Sequence, residues 1–311
     1  MRLRSFLCVA AQVLSVVLPS QIIAVDRQAE TALKQSACDI GYTRELCEKA
    51  PPVAPEKELP FRLSDGYLIL VEGQIGTQTN LKFLLDTGAT ISIVDSKIAN
   101  KLKLKREPRE SFNFDRKLGW EQAPFPEIQF GPIKATNIVM LVGHLAEYSE
   151  FGRNVDAIIG LDLLKLSNFS IDYATRKIIF HSFRQETVVN PKEPLSDCCL
   201  ILELKVQGHA VRLIVDTGLQ GILLFEERLL TTVPELRITE YVNVTMGERL
   251  HARKTTLKDV VIGPTIRDVS VLLTKAPAPE MLPGICGVVG IAALNARRVN
   301  FDFVNGTLSW E

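Results

Sequence analysis

Between residues 61 and 311 the apolar positions fall in short runs rather than at helical spacing. Leu68 to Glu72, Ile138 to Val142, Leu200 to Val206 and Val269 to Leu273 are apolar or alternating, rich in Val, Ile and Leu, and bounded by Gly, Asn and Pro. Runs of this kind predict strands with one or both faces buried. Sustained 3.6-residue periodicity is scarce: the best stretch is Val94 to Leu104, with Glu226 to Leu230 as a shorter counterpart. Asn305-Gly306, set between two apolar runs, predicts a tight hairpin with both central residues at positive φ. The pattern predicts a mostly-β chain.

The runs also repeat. LKFLLDTGAT (81–90) matches VRLIVDTGLQ (211–220), AIIGLDL (157–163) matches GVVGIAA (287–293), and IDYATRKIIF (171–180) matches FDFVNGTLSW (301–310). Asp86 and Asp216, Gly160 and Gly290, and Asp172 and Asp302 each stand 130 residues apart. Three blocks in one order and one register predict a duplicated unit, residues 61–185 and 196–311. Phe130-Gly131-Pro132 against Ile262-Gly263-Pro264 is a weaker fourth match.

The first 60 residues do not share this pattern. Residues 1–25 carry Arg2 and Arg4 ahead of an apolar core from Phe6 to Leu18, closed by Pro19 and Ser20. This is the plan of a secretory signal peptide, with cleavage after Ala24 or after Ser20. The rival reading is an uncleaved membrane anchor, since Phe6 to Val25 is just long enough to span a bilayer. Residues 26–60 end in PPVAPEKELP and read as a stalk or linker, or as a propeptide that covers a site. The expected location is secreted or periplasmic, with membrane attachment only if the leader is retained. In such a compartment cysteines can pair: Cys38 with Cys47, and Cys286 with Cys198 or Cys199.

Composition narrows the partners. The 311 residues hold 36 Lys+Arg and 36 Asp+Glu, so the net charge is zero. That balance removes the electrostatic basis for nucleic-acid binding. Mean hydropathy is +0.13, far from that of a polytopic membrane protein. The four histidines and six cysteines match no zinc spacing, so no metal and no cofactor are expected. Sequons at Asn168, Asn243 and Asn305 matter only in a glycosylating host.

The chemistry concentrates at the two DTG triplets. Asp86-Thr87-Gly88 follows Phe83-Leu84-Leu85, and Asp216-Thr217-Gly218 follows Leu213-Ile214-Val215. A carboxylate directly after a buried strand is costly unless it is hydrogen-bonded or used. One such triplet is explained by an Asx-type turn. Two in matched contexts predict loops that meet across a pseudo-two-fold axis. Asp162, Asp172 and Asp302 follow apolar runs without the T-G loop, which points to turn hydrogen bonding instead.

LLDTGAT (84–90), IVDTG (214–218), the AIIG and GVVG blocks and the IDY and FDF hairpins resemble the aspartic proteases of the retropepsin-like and pepsin-like type. The resemblance implies an all-β fold of two related β-barrel lobes, with the active site at their interface and both halves in one monomeric chain. It implies Asp86 and Asp216 as the catalytic dyad, with a polypeptide substrate and no covalent intermediate. Thr87, Gly88, Thr90, Thr217 and Gly218 are implied as support for the two loops. Where Thr90 stands in the first unit, the second has Gln220, a departure from the family pattern. The flap implied over the substrate is placed at Asp115 to Trp120, with Gly119 at its tip and Trp120 lining a pocket. Met246 and Gly247 are its counterparts in the second unit. The competing reading is a catalytically inactive peptide-binding module that retains this fold.

Overall fold

The computed structural model of the protein describes residues 57–113, 116–145, 155–183, 187–188, 199–246, 250–275 and 283–311. The leader at 1–25, Cys8, Cys38, Cys47 and Cys198 lie outside the described residues. The fold of the described residues is mostly β, with few helices. In the first lobe Leu68–Ile75, Gln78–Leu85, Ile93–Asp95, Arg116–Phe130, Ile133–Gly143 and Ala157–Ile159 close into a 6-strand barrel. In the second, Ile201–Val206, His209–Asp216, Ile222–Phe225, Leu250–Ile262, Thr265–Thr274 and Gly287–Gly290 form a ring, closed where Lys205 pairs with Val261.

The strand that ends in an aspartate has the same neighbours in both lobes. Leu84 pairs in parallel with Ile158, and Ile158 pairs antiparallel with Ile93. In the second lobe Ile214 pairs in parallel with Val288, and Val288 antiparallel with Leu223. These central strands are buried on both faces, which is why they read as unbroken apolar runs rather than alternating ones.

A third sheet joins the lobes. Its order is Lys57–Pro60, Lys177–Phe183, Ser167–Asp172, Arg298–Asp302 and Thr307–Trp310. The end of the segment read as a stalk thus forms an edge strand, where Pro60 costs no ladder hydrogen bond. Across the lobe boundary Phe169 pairs with Phe301 and Ile171 with Val299. The Phe169 and Phe301 rings stack at 4.9 Å, and Phe303 lies 5.8 Å from Phe169. Asn168 Nδ2 donates to Asp302 Oδ1 at 2.8 Å, and Phe303 N donates to Asn168 Oδ1 at 2.9 Å. One apolar cluster runs through both barrels and this seam.

Two local expectations need correction. The helix expected over 94–104 is confined to Ser96–Lys101, capped by Asp95, whose Oδ1 accepts Lys97 N at 2.9 Å. Val94 is held in the strand Ile93–Asp95, where ladder pairing outweighs the helical pattern. At Asn305-Gly306 only the glycine has positive φ (62°), so the two-residue turn does not form. Asp302 Oδ1 instead accepts the amides of Val304 and Asn305, both at 3.1 Å, and the connection spans residues 303–306. The thiol of Cys286 is buried against Thr232 Oγ1 at 3.3 Å rather than bonded to Cys199.

Because Phe301 is buried at the seam between lobes, Phe301→Ala is expected to cost about 3–5 kcal/mol. Denaturant unfolding followed by fluorescence and by circular dichroism should still show one coincident transition, since neither lobe keeps a complete seam without the other. Two resolved transitions would contradict a shared core.

Candidate active site

Both DTG triplets begin where a central strand leaves its sheet. Asp86 N donates to Ile159 O at 3.0 Å, the last ladder bond before the chain turns away. In the second lobe Asp216 is paired with Gly290. The two turns meet between the lobes, and their threonines bind each other reciprocally. Thr87 N donates to Thr217 Oγ1 and Thr217 N to Thr87 Oγ1, both at 3.0 Å. Thr87 Oγ1 donates to Val215 O at 2.9 Å, and Thr217 Oγ1 to Leu85 O at 2.7 Å. Each hydroxyl therefore accepts from one opposite backbone group and donates to another. All four bonds are buried, where chained hydrogen bonds reinforce one another.

The carboxyls sit immediately before this lock. Asp86 Oδ1 accepts Gly88 N at 2.8 Å and Ala89 N at 3.2 Å, and Asp216 Oδ1 accepts Gly218 N at 2.7 Å. These bonds aim Oδ1 of each residue at its own loop. The Asp86 carboxyl is within hydrogen-bonding reach of that of Asp216. Neither side chain has exposed surface. Burial pushes the Asp86 carboxyl up, while the Asp216 hydrogen bond and the amides of Gly88 and Ala89 pull it down. With both groups ionised, Asp86 Oδ2 meets no donor. A single proton on the pair would supply one.

Thr90 is buried in the first loop, and its carbonyl accepts Asp162 N at 3.3 Å; Gln220 is half-buried in the second. Gly119 is not at a tip. The strands Glu107–Asn113 and Arg116–Phe130 pair from Asn113 opposite Arg116 to Glu107 opposite Gln122, which puts Gly119 opposite Glu110 in mid-strand. The antiparallel register, not the glycine, decides where the chain reverses. Trp120 is packed into a cluster with Leu84, Ala89, Ile158, Leu219 and Val288, and its ring fills the space above Gly143. In this structure Trp120 is buried rather than open to solvent. Met246 closes the ladder of Val242–Met246 with Leu250–Ile262; Gly247 lies outside the described residues.

Sequence reasoning missed one pair. Asp162 is buried beneath the first loop, where Oδ2 accepts Ser92 N at 3.0 Å and Oδ1 accepts Ser92 Oγ at 2.6 Å and Leu163 N at 3.0 Å. Burial raises its pKa to about 6 against these stabilising bonds. The available signal was a joint break in the repeat: 130 residues on, Ser92 becomes Ile222 and Asp162 becomes Ala292. Asp172 does serve a turn, accepting Thr175 N at 2.9 Å. Among the described residues no group of His, Cys, Asp and Glu is placed to hold a metal ion, and no helix is long and apolar enough to cross a membrane.

Residues 71–166 match the family model described as gag-polyprotein putative aspartyl protease. These residues, which span the first DTG loop and the floor beneath it, are thus similar to a retropepsin-like aspartyl protease domain. Among curated proteins, none matches the chain.

The raised pKa of Asp162 has a definite sign. Its proton is held more tightly folded than unfolded, so its contribution to stability is complete below about pH 4 and is lost as pH rises through about 6. Relative to Asp162→Asn, the wild-type protein should lose on the order of 2–3 kcal/mol between those limits. Chemical denaturation of both proteins at pH 4, 5, 6 and 7 measures the difference. A difference that does not change with pH would show that Asp162 is not titrating there.

Proposed function

We propose, taking this similarity to an aspartyl protease domain as premise, that this protein is an endopeptidase in which Asp86 and Asp216 act as one catalytic pair. The observation that carries the reading is the buried carboxyl pair behind the reciprocal threonine lock. A pair that shares one proton holds a base and an acid side by side. The carboxylate takes a proton from a water molecule as its oxygen bonds to the carbonyl carbon of a peptide. The protonated partner gives its proton to the carbonyl oxygen, and a tetrahedral diol forms. A proton then passes to the amide nitrogen, the C–N bond breaks, and a carboxylic acid and an amine leave. The lock does work here by fixing both carboxyls before substrate arrives, so little reorganisation accompanies charge movement.

Two hairpins support the reading of a closing site. Among the described residues Glu107–Asn113 pairs only with Arg116–Phe130, and Val242–Met246 only with Leu250–Ile262, so each hairpin extends its sheet at an edge. They are the segments we assign to cover an extended peptide. Because both carboxyls lack exposed surface, substrate entry requires the cover to move. Export of the chain through residues 1–25 to a secreted or periplasmic location, action as a monomer and duplication of one ancestral lobe belong to the same proposal.

The test is cleavage of a mixed peptide library by the full chain between pH 3 and 7. Asp86→Asn and Asp216→Asn should each lower kcat/KM by about a thousandfold or more while keeping the wild-type circular dichroism spectrum. Activity surviving either substitution would refute the pair. A folded wild-type protein that binds peptides but cleaves none would support the inactive binding module instead.

A further inference from the structure

The lock between the threonines is symmetric, but the floors beneath the two aspartate loops are not. In the first lobe, Gly160 N donates to Ser92 Oγ at 2.9 Å, and Ser92 Oγ in turn donates to Asp162 Oδ1. Ser92 N donates to the other oxygen of the same carboxylate. The backbone adds Leu161 N to Ala89 O at 2.8 Å and Asp162 N to Thr90 O at 3.3 Å. The short helix Leu161–Leu164 is thereby tied to the loop at residues 89, 90 and 92. Gly160 must be glycine for this contact, since a Cβ there would lie 2.7 Å from Ala89 O.

The second lobe makes the same close approach by backbone alone. Gly290 N donates to Gly221 O at 2.8 Å, and a Cβ on Gly290 would lie 1.9 Å from Leu219 O. At the positions of Ser92 and Asp162 stand Ile222 and Ala292, whose side chains offer no hydrogen bond. A buried carboxylate is costly, and here its acceptor capacity is used on one serine and one helix amide. A merely structural floor does not need it, as the second lobe demonstrates.

We propose that Asp162, acting through Ser92, is a positioning residue that rigidifies the Asp86 loop alone, so that the two halves of the pair are held unequally. This rests on the reading of Asp86 and Asp216 as the catalytic pair. Ser92 supplies both donors that reach across from the loop to Asp162, and its hydroxyl is also the acceptor for Gly160 N. Removing that hydroxyl therefore releases two buried hydrogen bonds on the Asp86 side and none on the Asp216 side.

The test compares the full-length wild-type chain with Ser92→Ala, and with Asp162→Asn as a second variant should Ser92→Ala fail to fold. Ile222→Ala serves as the opposite-lobe control. Amide hydrogen exchange is followed over residues 86–92 and 216–222, beside kcat and KM. Ser92→Ala should speed exchange about tenfold over 86–92 and less than about twofold over 216–222, with Ile222→Ala showing the reverse. It should also lower kcat about tenfold with KM unchanged within about twofold. Equal acceleration in both loops, no acceleration over 86–92, or an unchanged kcat would each overturn the proposal. If the wild type cleaves nothing, the catalytic reading fails, and the exchange contrast alone decides whether the clamp is one-sided.

Discussion

Four buried hydrogen bonds between Thr87 and Thr217 and the backbones opposite them are the constraint on which the molecule depends. Two loops that leave their sheets in the middle of a protein expose amides and carbonyls to a place where water does not reach. Each unsatisfied group there would cost about 1–3 kcal/mol. The lobes resolve this only by meeting, because the acceptor for each loop is the side chain of the other. A lobe taken alone has the donors and acceptors but not their partners. That is why the chain is organised as two halves of one centre rather than as two domains that happen to touch.

The shared sheet and the apolar clusters make the meeting permanent. Ser167–Asp172 and Arg298–Asp302 form a continuous ladder across the boundary, and the rings of Phe169 and Phe301 pack on it. Between the barrels, Leu84, Trp120, Leu219 and Val288 fill the space around the aspartate loops. This apolar surround is also what makes the carboxyls unusual. It raises the cost of charge on Asp86 and pushes its pKa up. The close packing that holds the two carboxyls together also keeps them from solvent.

Symmetry holds at the lock and fails beneath it. The threonine bonds and the parallel pairings of the aspartate strands correspond residue by residue, yet Ser92 and Asp162 have only Ile222 and Ala292 as counterparts. A chain that carries both halves can let one floor become polar and the other apolar, which two identical subunits could not do. The pKa of about 6 on Asp162 is the physical trace of that difference.

Much of this was legible from the chain. Apolar runs that end in Asp86 and Asp216 predicted buried strands, and the constant spacing predicted two matching halves. The triplets themselves marked the loops, since an aspartate after such a run needs amide donors that a following Thr-Gly turn can provide. What lay beyond reach were partners set by distance in space. Asp162 was read as a turn residue because its donors come from Ser92, 70 residues away. A glycine suggests a turn, so Gly119 reads as a tip, whereas the pairing of Glu107–Asn113 with Arg116–Phe130 sets it opposite Glu110 in mid-strand. Asn305-Gly306 gave way to a longer connection because Asp302 collects the nearby amides. Local patterning by itself determined which segments are strands and where charge would have to be buried, since both follow from neighbours along the chain. Only the tertiary structure decided which buried groups satisfy one another, because those bonds cross between segments whose register no local pattern specifies.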